Sequence, residues 1–481
     1  FLHARRDPAS IALNDGVRSV SYLELEERVR AFAFWLQHKD VQVLGLDFDN
    51  SIDWVIADLG AIAAGICIVP IPQYFSRLQL DHLIESAGID CLLSSGAEID
   101  ESLSAAFQSM RVAQFLVPDL TLSPTRNPSR NPGTKITFTS GSTGLPRGVV
   151  LGHDELGQIA RSIVMAMEQV SVQRHLCLLP LATLLENVAG IYAPLIKGIE
   201  IIIPPPAEVG LEGSSSLDVN KFSECLARYE PHSLILVPQL LMALTTLTEF
   251  NMVDPAYLRM VAVGGGRVST ELLDKSKAAG IPVFEGYGLS EAGSVVTLNL
   301  PDQSRPGSVG KALPHAEIRI AANAEIEVKG ALMHGYLNEV LTDQWLKTGD
   351  LGRIDSDGFL FIEGRIKNLF ITAYGRNINP EWVESELTQK PAISQALFYG
   401  EARKENVALI WLRFEIAADA LDELVQQLNG LLPDYAQIHS YQVIATPLAE
   451  EFMTGNGRLK REQVIEAYQH LLQEDQKVLS R

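Results

Sequence analysis

Five short strand-like segments, at residues 41–46, 66–70, 175–180, 199–203 and 234–237, alternate with helix-period sequence between Tyr22 and Val237. Several are apolar on both faces, the pattern of parallel strands covered on both sides by helices. A half-solvated antiparallel strand would alternate instead. This region therefore predicts an α/β architecture, with residues 23–32 as an amphipathic helix leading into the first strand. After Pro306 the character changes. Residues 317–320 and 325–328 alternate polar and apolar, which predicts a small antiparallel, barrel-like sheet. A further change near Lys367 leaves enough chain for a small α+β domain, so we expect an N-terminal domain over 1–366 and a mobile C-terminal domain over 367–481. The helical spacing of Val464, Ile465, Tyr468, Leu471 and Leu472 reads as a docking helix.

Charge narrows the partners. With 39 Lys plus Arg against 59 Asp plus Glu, the formal net charge is −20, which argues against a nucleic-acid coat or an anionic membrane surface. An anionic ligand must then meet a local site. Cys67, Cys91, Cys177 and Cys225 are scattered through apolar runs without paired metal spacing, as expected of buried thiols in a reducing compartment. No transmembrane run and no secretory leader is read, so a cytoplasmic enzyme is expected.

The local anion site is suggested by Thr139, Ser140, Gly141, Ser142, Thr143 and Gly144, followed by Arg147, directly after the β-branched run 136–138. Hydroxyls, glycine-freed backbone N–H groups and a guanidinium suit a polyphosphate, although such a stretch is also what an ordinary turn contains. A Walker loop is excluded, because Pro146 stands five residues after Gly141 where that pattern needs glycine and lysine. Four more segments carry chemistry. Tyr287, Gly288, Ser290 and Glu291 combine a flat-ligand turn with a phosphate donor and a hard oxygen ligand for Mg²⁺. Asp350 sits in a tight turn where a carboxylate could accept two ribose hydroxyls. Arg365 and Lys367 precede a hairpin, with Asn379 and Pro380 set to cap and start a helix. Arg458, Lys460 and Arg461 cluster on a glycine turn near the end.

In order and spacing these segments resemble the adenylate-forming superfamily of acyl-CoA synthetases, peptide-synthetase adenylation domains and beetle luciferases, over essentially the whole chain. The resemblance implies that the loop at 139–148 contacts ATP phosphates and that Tyr287 lies by adenine, Ser290 by phosphate and Glu291 on Mg²⁺. It implies that Asp350 and Arg365 hold the ribose, Lys367 is a hinge, and Gly375 approaches a pantetheine tunnel. By the same likeness Gly264, Gly265 and Gly266 run between the adenine and acyl pockets. The implied reaction joins a carboxylic acid to ATP as an acyl-adenylate and then to a thiol, of CoA or of a carrier protein's phosphopantetheine.

Two positions depart from the family. Arg147 and Arg458 stand where lysine is usual, and Arg458 falls where the family lysine bridges carboxylate and α-phosphate; Lys460 is an alternative for that role. Around residues 179–188 there is no Asp placed to hold an α-amino group, which disfavours amino acids. Leu181, Thr183, Leu184 and Val188, with Leu240, are expected to line an apolar acyl pocket that Gly190 could widen. The expected substrate is an apolar carboxylate, most simply a fatty acid. One alternative is an enzyme loading a free carrier protein with an aryl or unusual acid, since no carrier domain is read after Arg481. Another is a degenerate nucleotide- or adenylate-binding module.

Overall fold

The computed structural model describes residues 2–94, 132–139, 146–212, 216–374, 376–453, 459–473 and 477–478. Its helices begin where side chains satisfy the first free N–H groups. Ser21 accepts from the Glu24 amide ahead of Tyr22–His38, and Ser51 from the Trp54 amide ahead of Ile52–Ala64, which Gly65 ends at φ 71°. These two helices pack closely because Gly60 clears the way: a Cβ there would stand 2.6 Å from Phe32 Cδ1. Phe32, Trp54 and Ile56 are completely buried at the crossing.

Two sheets make up most of the large N-terminal portion. The first runs, in spatial order, Glu339–Val340, Gly335–Tyr336, Arg147–Gly152, Thr134–Thr139, Cys67–Pro70, Val43–Asp47 and Cys91–Ser94. Its Val43, Cys67 and Cys91 strands are parallel, which the sequence indicated for the first two; Cys91–Ser94 was not among the expected strands. The second is nine-stranded and centres on the parallel strands Arg174–Leu176, Ser233–Leu236, Met260–Val263 and Val283–Tyr287. The predicted alternating region forms the antiparallel sheet Ala316–Ile320, Glu325–Gly330, Leu346–Ile354 and Leu360–Arg365.

The small C-terminal α+β unit sets helix Pro380–Thr388 on strands Ile393–Tyr399, Asn406–Leu412 and Ile438–Ile444. Asn379 caps the helix and Pro380 opens it, as the sequence indicated. The expected docking helix is two, Arg461–Ala467 and Gln469–Gln473, with Val464 and Leu472 buried against Leu397 and Trp411. Polar pairs join this unit to the rest: Lys390 Nζ lies 3.0 Å from Glu271 Oε2, and Asn379 Nδ2 donates to Glu363 O at 2.8 Å. No described helix is long and apolar enough to cross a membrane.

Candidate active site

The strand Thr134–Thr139 pairs antiparallel with Arg147–Gly152, with Thr139 opposite Arg147. The glycine-rich stretch is thus the connection between two hydrogen-bonded strands, and Thr139 at its start lines a cavity of ≈ 350 Å³. Ser140, Gly141, Ser142, Thr143 and Gly144 lie outside the described residues, as do Gly375 and Arg458. Met453 and Leu459, the described residues on either side of Arg458 and its neighbours, form an isolated antiparallel bridge.

Across the cavity mouth, strand Val283–Tyr287 ends in a turn that folds back on itself. Gly288 allows this, since a Cβ there would lie 1.6 Å from Ser294 O. The turn continues into the 3₁₀ segment Ser290–Ala292, so Tyr287, Ser290 and Glu291 all line the cavity. Asp350 and Arg365 face one another on paired antiparallel strands. Asp350 is 3% exposed; its Oδ1 accepts from Arg365 Nε at 2.7 Å and its Oδ2 from the Tyr287 hydroxyl at 2.7 Å. Burial, then the Asp350 carboxylate, push the Tyr287 hydroxyl above its ordinary range, which keeps it a donor. Each carboxylate oxygen still has a second lone pair, so the cluster is preorganised to accept ligand hydroxyls.

A second cluster ties the loop's arginine to the acidic turn. Tyr336 donates its hydroxyl to Glu291 Oε1 at 2.9 Å, and the Arg147 guanidinium lies 3.6 Å from the centre of its ring. Arg147 Nη2 also lies 2.8 Å from Glu339 Oε2. A flat, weakly hydrated guanidinium suits this stacking better than a lysine ammonium. Glu291 is thus a hydrogen-bonded carboxylate at the cavity wall, the donor type a Mg²⁺ site requires.

The expected residues divide. Thr139, Thr183, Leu184, Gly264, Gly265, Tyr287, Gly288, Ser290, Glu291 and Arg365 share the one cavity. Leu181, Val188, Leu240 and Gly266 are not among its lining residues, and Leu181, Val188 and Leu240 are packed into core clusters. Gly190 does not widen the pocket either; it clears space for the buried pair His175 and Glu186. Lys367 is exposed in the turn after Leu360–Arg365, and Lys460 Nζ donates to Glu451 O at 2.8 Å, away from the cavity lining.

The family profile described as "AMP-binding enzyme" matches residues 1–337. The chain belongs to that family. A second profile, for the C-terminal domain of AMP-binding enzymes, matches residues 367–475. Among its relatives this AMP-binding enzyme is 25% identical to the long-chain-fatty-acid–CoA ligase FadD15 of Mycobacterium bovis, over 97% of this chain and 94% of that one. It is 26% identical to the 2-succinylbenzoate–CoA ligase of Listeria innocua, over 82% of each. In fold it resembles the o-succinylbenzoate CoA synthetase of Bacillus subtilis, solved with the acyl-adenylate OSB-AMP, at a TM-score of 0.77 with 23% identity over 99% and 98% of the two chains. A structure of the same synthetase with ATP and a magnesium ion gives a TM-score of 0.75 at 24% identity, over 96% and 98%. The superfamily expected from the motifs is therefore the one to which the chain belongs.

Sequence reasoning missed Tyr336, Glu339 and a buried network behind the loop. Lys135, completely buried, reaches Asp58 Oδ1 at 2.6 Å and the Tyr192 hydroxyl at 2.7 Å, and Asn187 Nδ2 donates to Asp58 Oδ2 at 3.2 Å. It fastens the strand before the glycine loop to the π-helical segment Glu186–Tyr192. A lysine in a strand gives no sequence signal that it points inward.

Proposed function

We infer that this chain is an AMP-forming acid–thiol ligase that activates an apolar carboxylic acid with ATP and passes the acyl group to a thiol. The observation that carries the reading is that Tyr287 and Arg365, which both hydrogen-bond Asp350, line the same cavity as the apolar Ile163, Leu234 and Ala262. One end suits a ribose and the other an acyl group. Glu186, the carboxylate nearest the position that would hold an α-amino group, is completely buried on His175 and the Leu179 amide, which supports excluding amino acids.

In this reading a carboxylate oxygen forms a bond to the α-phosphorus while the bond to pyrophosphate breaks. The thiol then attacks the acyl carbon, and AMP leaves with the oxygen the acid supplied. Asp350 and Arg365 orient the ribose, and Ser290 with the loop from Thr139 through Gly144 donates to the phosphates. Glu291 would hold Mg²⁺, which supplies charge neutralisation at the phosphates when bound. By the superfamily resemblance Arg458 would bridge carboxylate and α-phosphate, and the small unit, divided at 366/367, would turn about Lys367 between the two steps. The polar pairs across that boundary, Lys390 with Glu271 among them, are breakable contacts of the kind such a motion needs.

The acceptor is CoA or the phosphopantetheine of a free carrier protein; the fatty-acid and succinylbenzoate relatives are named as CoA ligases, which favours CoA. A reducing cytoplasmic setting fits four buried cysteines that form no disulfide. The degenerate-module reading loses ground because Arg147 has its own stacking partner in Tyr336. Pyrophosphate–ATP exchange with a panel of fatty and aryl acids tests the proposal. Acid-dependent exchange, followed by AMP and thioester on adding CoA, is expected; no exchange with any acid would overturn it.

A further inference from the structure

At the end of the cavity opposite the chemistry lies a group of polar side chains that the ligase reading leaves unused. Strand register fixes their place. Ser233 is level with His175 on one neighbouring strand and with Met260 on the other, all near the starts of their strands, whereas Gly264 follows the last residue of Met260–Val263. All four line the same cavity. From Met260 to Gly264 the cavity thus runs roughly 13 Å along the sheet, at about 3.3 Å per residue.

Its middle is apolar, with Leu234 and Ala262 on the sheet side and Ile163 and Met167 on the helix side. Its floor is polar. His175 Nδ1 lies 2.9 Å from Ser233 Oγ and Nε2 lies 3.0 Å from Glu186 Oε1. Gly190 makes room for this pair: a Cβ there would stand 2.3 Å from Glu186 Oε1 and 2.8 Å from His175 Nε2. With Glu186 accepting the Nε2 proton, Nδ1 accepts from the Ser233 hydroxyl, and the Ser233 oxygen keeps its lone pairs as an acceptor. Lys197 lines the cavity too. Its ammonium donates to Val170 O at 2.9 Å and to Met167 O, which leaves one of its three N–H groups without a partner among those two carbonyls.

A donor and an acceptor lining one apolar cavity match a hydroxyl. We propose that Ser233, set by His175 and Glu186, and Lys197 form a specificity site for a hydroxyl carried about ten carbons from the activated carboxyl. That count takes about 1.25 Å of advance per carbon, from C–C bonds of about 1.5 Å. The preferred substrates are medium-chain hydroxylated acids. The inference rests on the acyl-activating reading above and narrows it. A plain alkyl end would add no partner to the acceptor lone pairs of Ser233 or to the remaining N–H of Lys197, and sites built to hydrogen-bond a hydroxyl discriminate against analogues lacking it.

The test is pyrophosphate–ATP exchange with decanoate, 10-hydroxydecanoate and decanedioate, for the wild type, Ser233→Ala and Lys197→Met. We expect kcat/KM for 10-hydroxydecanoate to exceed that for decanoate by at least about tenfold. The ratio should fall to within about twofold in either variant, a readout internal to each protein and insensitive to partial misfolding. Equal or better use of decanoate by the wild type overturns the inference while leaving the ligase reading intact. So does a ratio unchanged in both variants. Preference for decanedioate assigns the floor to a carboxylate and overturns the hydroxyl. Absence of exchange with every acid overturns the ligase reading itself, and the inference with it.

Discussion

Tyr336 holds Glu291: its hydroxyl donates to Glu291 Oε1 at 2.9 Å from a separate strand, Gly335–Tyr336, that lies beside the strand following the glycine loop. Burial, then the neighbouring carboxylate, push that hydroxyl up to about 12, so it remains a donor throughout any usable assay range. A carboxylate fixed in this way loses little freedom on binding a cation. Tyr336→Phe should raise the Mg²⁺ concentration for half-maximal adenylation about tenfold, since a hydrogen bond to a charged group contributes about 1.5–3 kcal/mol. Tyr336→Leu, which also removes the Arg147 stack, should raise the KM for ATP as well. Magnesium titrations at fixed ATP separate the two effects.

Asp350 accepts one hydrogen bond from Arg365 and one from Tyr287, and it is buried. Asp350→Asn should weaken ATP binding by about thirtyfold, because the amide presents a donor where ribose hydroxyls need an acceptor and leaves Arg365 uncompensated. Arg365→Lys should be nearly as damaging, since an ammonium lacks the fork geometry. Calorimetric titration with ATP checks both.

Lys135 and Asp58 are both completely buried and 2.6 Å apart. Burial lowers the lysine's pKa and Asp58 opposes the shift. Lys135→Met should cost about 3–5 kcal/mol, because it leaves the Asp58 charge without its cation. Lys135→Met combined with Asp58→Leu should recover at least half of that. Urea unfolding of the single and double variants measures the difference.

Much of this was legible in the sequence, for reasons that particular residues make plain. Val43 to Leu46 and Cys67 to Val69 are apolar at every position except Gly45, and nothing but a covered parallel strand uses such a run. Asn379 and Pro380 acted as cap and first turn because their preferences are local. Asp350, Arg365 and Tyr287, singled out through the superfamily resemblance, are joined by hydrogen bonds to Asp350 although Tyr287 is far from the other two in the chain. Leu181, Val188 and Leu240 went astray because an apolar side chain carries the same signal whether it faces a cavity or the core. Tyr336, Lys135 and the His175 and Ser233 floor were invisible for a different reason. Each depends on a contact between residues tens of positions apart, which neither periodicity nor spacing encodes.

Glu285 gives the pH dependence its sign. Burial raises its carboxyl from the model-compound value of 4.5 to about 8, with Arg267 and Lys277 offsetting part of the effect. The folded protein therefore keeps a proton that the unfolded chain releases. Stability from this group is fully present below about pH 4.5 and declines as pH rises toward 8. Glu285→Gln should flatten that decline, melting above the wild type at pH 8.5 by at least about 2 °C and with no such advantage at about pH 5. Thermal scans across the range check it.

The central claim is that a carboxylate oxygen attacks the α-phosphorus of ATP before a thiol displaces AMP. Incubating the enzyme with ATP, Mg²⁺, CoA and an acid labelled with ¹⁸O in its carboxylate, then weighing the nucleotide and phosphate products, tests it directly. One labelled oxygen should be found in AMP and none in pyrophosphate. Label in orthophosphate with ADP as the nucleotide product, or unlabelled AMP, would contradict the account.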